Sequence, residues 1–270
     1  MYLKPINFAK YSSIKVGSTI DVRVLEKGDS VPKGTYIIGG ANNLLVSANP
    51  PPLMMLGRDF DYIYMEEGYL VVGGATKSGR IASFAKKHNL AGFEFLSHLP
   101  GTLGGLIAMN AGLKSYEIFD ILNSVEIIQH SQTQFGNETL LPNAIEHGYR
   151  FAKINGVITE ARFEIQEGFD HALIESFKAM RHNQPSNPSA GSVFKNPKGD
   201  YAGRLIEAVG LKGKRVGDMA WSDVHANFLV NLGNGTFEDA HYLIKLAKEK
   251  VKEGFKIELK EEIKILSLRS

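Results

Sequence analysis

The stretch Thr35-Tyr36-Ile37-Ile38-Gly39-Gly40-Ala41-Asn42-Asn43-Leu44-Leu45-Val46 places a glycine- and asparagine-rich loop between two apolar runs. β-Branched and aromatic residues predict short strands at Thr35 to Ile38 and at Leu44 to Val46. The loop between them offers neutral backbone N–H groups to an anion, and its glycines allow a flat ligand to approach closely. The stretch therefore indicates either a ligand-binding loop or a tight structural turn.

A second loop of the same kind covers Leu99 to Gly105 and follows a β-turn-α unit. Tyr69 to Val72 predicts a strand and Gly73-Gly74 a turn. Helical spacing then continues until Asn89 and involves Ile81, Phe84, Ala85 and His88. Two such loops favour a dinucleotide held mostly by backbone atoms.

Three familiar kinds of site do not fit the spacing. Gly74 and Gly79 have P-loop separation, but Arg80 and Ile81 stand where Lys and then Ser or Thr are needed. No Gly-x-Gly-x-x-Gly follows a strand, which argues against an ordinary Rossmann dinucleotide site. The eight histidines form no His-x-His or i, i+4 pair, so we expect no metal site.

Composition narrows the class of protein further. The 270 residues are 43% hydrophobic and 22% charged, which is typical of a globular chain of two or three domains. A formal charge of +2 gives no long-range field to gather nucleic acid or an anionic membrane. Zero cysteines exclude disulfides and thiolate sites and favour a reducing compartment. Because Met1 to Val16 lacks the apolar run of a signal peptide, we expect a cytoplasmic protein.

The patterning predicts an α+β fold with a smaller mixed domain after about residue 166. Asn49-Pro50-Pro51-Pro52 is unsuited to a helix or a central strand and indicates a subdomain boundary. Further strands are predicted at Val125 to Gln129, Val157 to Ile165, Val224 to Val230 and Phe255 to Ile265. Helices are predicted around Leu173 to Met180, at Arg204 to Val209, and from Thr236 to Gly254 with Ala240, Leu243, Ile244, Ala247 and Val251 on one face.

Polar residues of the second half form a candidate site around Ser189 to Pro197. Gly191 allows the Ser192 hydroxyl to face a ligand, and Lys195 and Asn196 are near enough in sequence to bind a carboxylate or phosphate. Glu262 lies on the strand phase opposite Ile263, whereas Glu261 shares the phase of Ile263. Read alone, Arg150 is a surface arginine and Glu262 a solvated strand residue. Spacing does not bring either one to Ser192.

Together these motifs resemble the UDP-N-acetylenolpyruvoylglucosamine reductase family. The resemblance rests on Gly39 to Val46, on Gly92-Phe93-Glu94-Phe95-Leu96-Ser97-His98-Leu99-Pro100-Gly101-Thr102-Leu103-Gly104-Gly105, and on Asn110-Ala111-Gly112. It continues in the same order through Tyr149-Arg150, Ser189 to Pro197, Gly199 to Glu207, His225 to Phe228 and Glu262 to Ile265. It thus covers nearly the whole chain, which looks like the family's shorter type.

The resemblance implies a two-part FAD-binding region of the vanillyl-alcohol-oxidase/PCMH type, followed by a smaller α+β substrate domain. The expected parts are residues 1–57, 58–166 and 167–270, with the last strand returning towards the flavin. FAD would be bound without a covalent link. The expected FAD-binding residues are Gly39, Gly40, Ala41, Asn42, Asn43, Leu44, Gly74, Ser97, Pro100, Gly101, Thr102, Gly104, Gly105, Asn110, Ala111 and Gly112. His98 stands where a glycine is common in the family.

The resemblance also implies a reaction of bacterial peptidoglycan precursor synthesis. NADPH reduces FAD, and the reduced flavin converts UDP-N-acetylglucosamine enolpyruvate to UDP-N-acetylmuramate. Carried over to this chain, Ser192 protonates the substrate, while Arg150 and Glu262 stabilise the enolate. The expected substrate-binding residues are Tyr149, Arg181, Lys195, Asn196, His225 and Asn227.

Two other functions compete with this one. One is another FAD-linked oxidoreductase of the same flavin-binding fold that acts on a sugar or a 2-hydroxy acid. The other is a non-catalytic nucleotide-binding module, which would tolerate loss of Ser192 or Glu262. We expect small-molecule partners only, no nucleic acid or membrane, and a monomer.

Overall fold

The computed structural model describes residues 1–129, 137–180 and 183–268 of the chain. These ranges contain helices together with antiparallel sheets, which confirms the α+β class. The strands are β1 (Tyr2–Asn7), β2 (Thr19–Leu25), β3 (Tyr36–Ile37), β4 (Leu44–Val46), β5 (Leu53–Leu56), β6 (Ile63–Glu66), β7 (Tyr69–Gly73), β8 (Gly112–Leu113), β9 (Tyr116–Glu117), β10 (Leu122–Ile128), β11 (Asn137–Leu140), β12 (His147–Gly148), β13 (Phe151–Ala152), β14 (Val157–Glu164), β15 (Ser189–Ser192), β16 (Arg215–Val216), β17 (Met219–Trp221), β18 (Phe228–Asn231) and β19 (Lys264–Leu266). The helices are α1 (Phe8–Tyr11), α2 (Ser78–Lys87), α3 (Leu103–Ala108), α4 (Ile118–Ile121), α5 (His171–Met180), α6 (Ala202–Ala208) and α7 (Phe237–Phe255).

The chain forms two compact units, each built from separate segments. The first contains Met1–Lys4, Val22–Gly40 and Pro52–Met180, and the second contains Pro5–Asp21, Ala41–Pro51 and Arg181–Ser270. These two units differ from the expected parts in kind, because the expected parts are defined by what they bind and the units by their compactness. The three consecutive parts expected from the sequence therefore stay a prediction.

The first unit is organised around a five-stranded sheet in the order β11-β10-β14-β7-β6. All neighbouring strands in it are antiparallel. Val125, Ala161 and Val72 are partners across its three central strands, and each is fully buried. Strand β7 ends at Gly73, so the sheet delivers the chain directly into the loop that precedes α2.

The second unit contains the four-stranded sheet β15-β18-β17-β16 and the long helix α7. The five residues predicted to share one helix face are all buried, which confirms that prediction. They join Trp221 and Leu229 of the sheet in one apolar core. Helix α7 begins as predicted after Thr236, whose hydroxyl oxygen accepts a hydrogen bond from the Asp239 N–H at 3.1 Å.

Two of the predicted element boundaries in this unit are wrong. The strand expected from Val224 begins only at Phe228. The Ser222 hydroxyl oxygen accepts hydrogen bonds from the N–H groups of Val224 and His225, which forms a turn before the strand. Helix α7 does not close at Gly254 but continues to Phe255. Lys256 then adopts the left-handed conformation with φ 59° and caps the helix.

The final strand is also much shorter than the alternation from Phe255 to Ile265 predicted. Only Lys264–Leu266 is a strand, and it pairs with β4 in parallel. The preceding residues bond to a different partner: the Lys195 N–H donates to Lys260 O at 2.9 Å, and the Glu262 N–H donates to Val193 O at 2.8 Å. The alternating segment thus changes partner midway, which interrupts a continuous ladder.

Candidate active site

The first glycine loop touches the second one within the first unit. A Cβ added at Gly39 would lie 2.4 Å from the Thr102 hydroxyl oxygen, so only glycine fits there. The next residues of the loop include Ala41, which has φ 50° although it is not glycine. Such conformations cost about 1–3 kcal/mol each and concentrate at functional sites. The two sequence-predicted loops are thus in contact where the Thr102 side chain meets Gly39.

Hydrogen bonds join the second loop to the end of β7. The Ser78 N–H donates to Gly101 O at 3.0 Å, and the Gly104 N–H donates to Gly74 O at 2.9 Å. A Cβ at Gly74 would lie 2.3 Å from Ile158 O, whereas one at Gly105 would meet only the Thr102 hydroxyl oxygen, at 3.7 Å. Gly74 is therefore required by packing, while the exposed Gly105 is not.

A polar atom without a protein partner lies just before this loop. Ser97 donates its hydroxyl proton to Glu94 O at 2.5 Å. In the described part of the chain, the buried Nε2 of His98 has no hydrogen-bond partner. Burying a polar group without a partner costs about 1–3 kcal/mol. A ligand that bonds to this nitrogen would remove that cost.

Arg150 lies beside the third expected cofactor segment, Asn110 to Gly112. Its Nη2 donates to Gly112 O at 2.9 Å, and its φ is 60°. The fully buried Asn110 has φ 39° and donates to a Glu117 carboxylate oxygen at 2.6 Å. The other Glu117 oxygen lies 4.0 Å from Arg150 Nη1. The guanidinium also lies over the Tyr149 ring, 5.1 Å from its centroid.

Glu117 is a residue that the sequence analysis missed. Its carboxylate orients Asn110 and faces Arg150, two residues that the motifs had singled out. In sequence it marks only the start of the short helix α4, with a capping box to Asp120. No local pattern indicates its second set of contacts.

Glu262 is joined to the segment of Ser192 in the second unit by a backbone hydrogen bond to Val193. Glu262 donates its N–H to Val193 O, directly after Ser192. Ser192 follows a β-bulge: Ser189 pairs with Val230 and Ser192 with Phe228, and the intervening Gly191 has φ 78°. A bulge of this kind redirects the side chain that follows it. The expected acid and the expected carboxylate residue are thus neighbours across one backbone hydrogen bond.

The two adjacent glutamates have different surroundings. Glu261 Oε1 forms a 2.7 Å ion pair with Lys248 of α7. The backbone carbonyl of Glu262 accepts a 2.9 Å bond from the Asn43 amide, which links it to the Gly/Asn loop. The structure thus gives Glu261 a structural partner and places Glu262 beside two predicted site segments.

Four of the expected substrate-binding residues hold backbone in the second unit. Asn196 accepts a bond from the Ala202 N–H at 3.1 Å, and the Lys195 N–H bonds to Lys260 O. His225 Nδ1 accepts from the Asn227 N–H at 3.2 Å, and burial lowers the pKa of this imidazole. Asn227 bonds to the main chain of Phe194. Arg181 lies outside the described residues.

Arg150 belongs to the first unit, and Ser192 and Glu262 belong to the second. Across residues 1–129, 137–180 and 183–268, no group of three or more His, Cys, Asp or Glu is placed to hold a metal ion. No helix in the same ranges has the length and apolar character to cross a bilayer.

Two protein-family models match the chain. The FAD binding domain matches residues 36–133, and the C-terminal domain of UDP-N-acetylenolpyruvoylglucosamine reductase matches residues 183–266. The first match covers two of the glycine loops, and the second covers Ser192 and Glu262.

Whole-chain relatives agree with these matches. The chain is 49% identical to UDP-N-acetylenolpyruvoylglucosamine reductase of Helicobacter hepaticus, over 97% of this chain and 98% of that protein. It is 47% identical to the Campylobacter jejuni enzyme, over 97% and 99%. The crystal structure of the Thermus caldophilus reductase matches with a TM-score of 0.84 and 28% identity, over 98% and 99% of the two chains. Because these similarities run through both units, the chain belongs to the UDP-N-acetylenolpyruvoylglucosamine reductase family.

Proposed function

We propose that this chain reduces UDP-N-acetylglucosamine enolpyruvate to UDP-N-acetylmuramate with electrons from NADPH, a step of peptidoglycan precursor synthesis. The enolpyruvyl ether, NADPH and one proton give the lactyl ether and NADP⁺. The observation that carries the proposal is the pairing of Ser192 with Glu262 through Val193 O. It joins the backbone segment of Ser192 to that of Glu262 in a chain whose relatives bear this reductase name.

The glycine loops fit the FAD that the reaction needs. Gly39 and Thr102 bring two glycine loops into contact, Gly105 leaves open backbone beside them, and His98 Nε2 has no partner in the described chain. We propose that these loops hold FAD through backbone N–H groups. The full proposed set is Gly39, Gly40, Ala41, Asn42, Asn43, Leu44, Gly74, Ser97, Pro100, Gly101, Thr102, Gly104, Gly105, Asn110, Ala111 and Gly112. Gly74 and Gly104 contribute by shaping the loops.

When bound, FAD would supply the hydride, taken from NADPH, that the methylene carbon of the substrate receives. Negative charge then develops on the carbon conjugated to the substrate carboxylate. The guanidinium of Arg150 is always charged and can fork onto carboxylate oxygens, so it stabilises that charge together with Glu262. A serine hydroxyl is a very weak acid, and it gives its proton only to a strong base such as this enolate. Ser192 therefore needs no histidine beside it.

Tyr149, Arg181, Lys195 and Asn196 are proposed to bind the substrate, with His225 and Asn227 shaping their surroundings. Residues 1–57 and 58–166 are proposed as the two parts of the FAD-binding region, and 167–270 as the substrate-binding domain. We also propose a monomer. A cytoplasmic location is proposed because a chain without cysteine suits a reducing compartment.

The test is a two-step anaerobic titration of the purified protein. NADPH should bleach the flavin absorbance, and UDP-N-acetylglucosamine enolpyruvate should then restore it with formation of a product two hydrogens heavier. Bleaching without recovery would contradict the proposed substrate. No observation favours the sugar or 2-hydroxy acid oxidase, and the matched C-terminal domain is the reductase's own.

Gly105→Ala should weaken FAD binding without weakening the fold. The added Cβ has open space within the protein, and alanine is the better helix former at this position in α3. Against bound FAD the same methyl would overpack, at a cost of about 1–3 kcal/mol. FAD titration should therefore show a dissociation constant raised about tenfold or more, with thermal stability of the apoprotein unchanged or higher.

The matched control is Gly104→Ala. Its Cβ would lie 3.3 Å from Gly74 O and 3.4 Å from Ile158 O, so this variant should lose apoprotein stability. Wild-type FAD affinity in Gly105→Ala would remove Gly105 from the flavin-facing surface.

The FAD should be released intact when the protein is denatured. The chain has no cysteine, and no attachment residue is implied by its motifs. After acid precipitation we expect all of the yellow colour in the supernatant. Colour that stays with the pellet would contradict non-covalent binding and would make His98 the residue to examine by peptide mapping.

A further inference from the structure

Asn227 makes a two-point contact with the main chain of a single residue. Its Oδ1 accepts the Phe194 N–H at 3.0 Å, and its Nδ2 donates to Phe194 O at 2.8 Å. The side chain is 3% exposed, and Phe194 is 1% exposed and stacks on Trp221. The buried amide thus satisfies both the backbone N–H and the backbone carbonyl of Phe194. Because Phe194 is buried, these two groups depend on protein partners for their hydrogen bonds.

The same turn also holds the residue before Phe194. The Val193 N–H donates to the backbone carbonyl of Asn227 at 2.8 Å. The Val193 carbonyl in turn accepts the N–H groups of Glu262 at 2.8 Å and Ile263 at 3.2 Å. Val193, the residue after Ser192, is therefore held at its N–H by the Asn227 carbonyl and at its carbonyl by the Glu262 N–H.

Only asparagine combines these contacts at this length of side chain. Aspartate has the acceptor for the Phe194 N–H but no donor for its carbonyl, and alanine has neither. Without the amide, both main-chain groups of Phe194 would be buried without a partner. The segment would then shift towards another arrangement, and Ser192 and Glu262 would shift with it.

We propose that Asn227 is a positioning residue that sets the geometry between Ser192 and Glu262 through the backbone of Val193 and Phe194. This role rests on the proposed function of that pair. It differs from a direct contact with substrate, because the amide is occupied by Phe194 and shielded from solvent.

Stopped-flow measurement of the two half-reactions in Asn227→Ala tests the proposal. Flavin reduction by NADPH should keep its wild-type rate, and reoxidation by the enolpyruvyl substrate should slow roughly 10²-fold, as expected when a reacting group is displaced by about 1 Å. Hydrogen exchange at the amides of Val193 and Phe194 should accelerate. In the double variant with Ser192→Ala, the slowing should fall short of the product of the two single effects.

Asn231→Ala is the matched control on the same strand. Asn231 is also 3% exposed, and its amide donates to Ile14 O and Lys15 O while accepting from the N–H groups of Gly233 and Gly235. It should lose comparable thermal stability and keep both half-reaction rates. If Asn227→Ala retains no FAD, Asn227→Asp replaces it, with the same preferential slowing of reoxidation expected.

The proposal is overturned by any of three results. They are unchanged reoxidation in the folded Asn227 variant, equal slowing in Asn231→Ala, and fully multiplicative effects with Ser192→Ala. Failure of the wild-type protein to return electrons to this substrate would instead overturn the proposed function. The two failures are therefore distinguishable.

Discussion

Replacing Ser192 by alanine is expected to slow reoxidation of the reduced flavin by substrate by at least about 10²–10⁴-fold, the usual contribution of a positioned general acid. Reduction of FAD by NADPH should keep its normal rate, because that step needs no proton delivered to carbon. Both rates are followed by flavin absorbance in a stopped-flow instrument. The bulge before Ser192 is formed with Gly191 in a positive-φ conformation, so the substitution should leave the backbone unaltered.

Ser189→Ala on the same strand is the control, since Ser189 precedes the bulge and pairs with Val230. It should leave both half-reactions unchanged. Equal slowing of the two half-reactions in Ser192→Ala would assign the serine a structural role. If neither half-reaction slows, the proton comes from another group.

Glu262→Gln is expected to slow substrate reduction by about 10²–10³-fold, the usual effect of removing one group that stabilises a developing oxyanion. The glutamine amide keeps the shape of the side chain but has no carboxyl proton to offer to the developing negative charge. The neighbouring Glu261→Gln should keep nearly full activity. This variant loses only the partly exposed ion pair with Lys248, which contributes about 0–1 kcal/mol to the free energy of unfolding.

Steady-state rates and thermal melts of the two glutamine variants decide the matter. We expect Glu262→Gln to melt like the wild type and to be slow, and Glu261→Gln to be active with at most a slightly lower melting temperature. Equal losses of activity would show that the strand register used to choose between the two residues is wrong.

The local elements of the fold were predictable because their causes are local. The apolar face of α7 and its Thr236 cap depend on residues within a few turns of each other, and both are confirmed. Strand β14, Val157–Glu164, lies within one residue of the predicted run. The predicted length of the C-terminal strand was wrong, because this segment bonds first to Val193 and Lys195 and then to β4. No local alternation contains information about such distant partners.

The candidate site also has features that local sequence predicts and features that depend on distant residues. Glycine clusters mark the loops from sequence, since close approach of backbone needs glycine wherever it occurs. Which glycine is required by the fold depends on residues far along the chain, since Ile158 packs against Gly74 and Thr102 packs against Gly39. Asn227 stays a predicted site residue, and its partner Phe194 is 33 positions away along the chain. That contact makes it a candidate clamp on the backbone.

The bond from Asn43 to the Glu262 carbonyl has a consequence for synthesis on the ribosome. Its two ends are 219 positions apart, which corresponds to roughly 10–45 s of translation at about 5–20 residues per second. During that interval Ile14, Val16 and Leu45 lack most of the core that later buries them, because its other members come from residues 190–263. We therefore expect these three apolar side chains to stay exposed on the nascent chain until the C-terminal residues emerge.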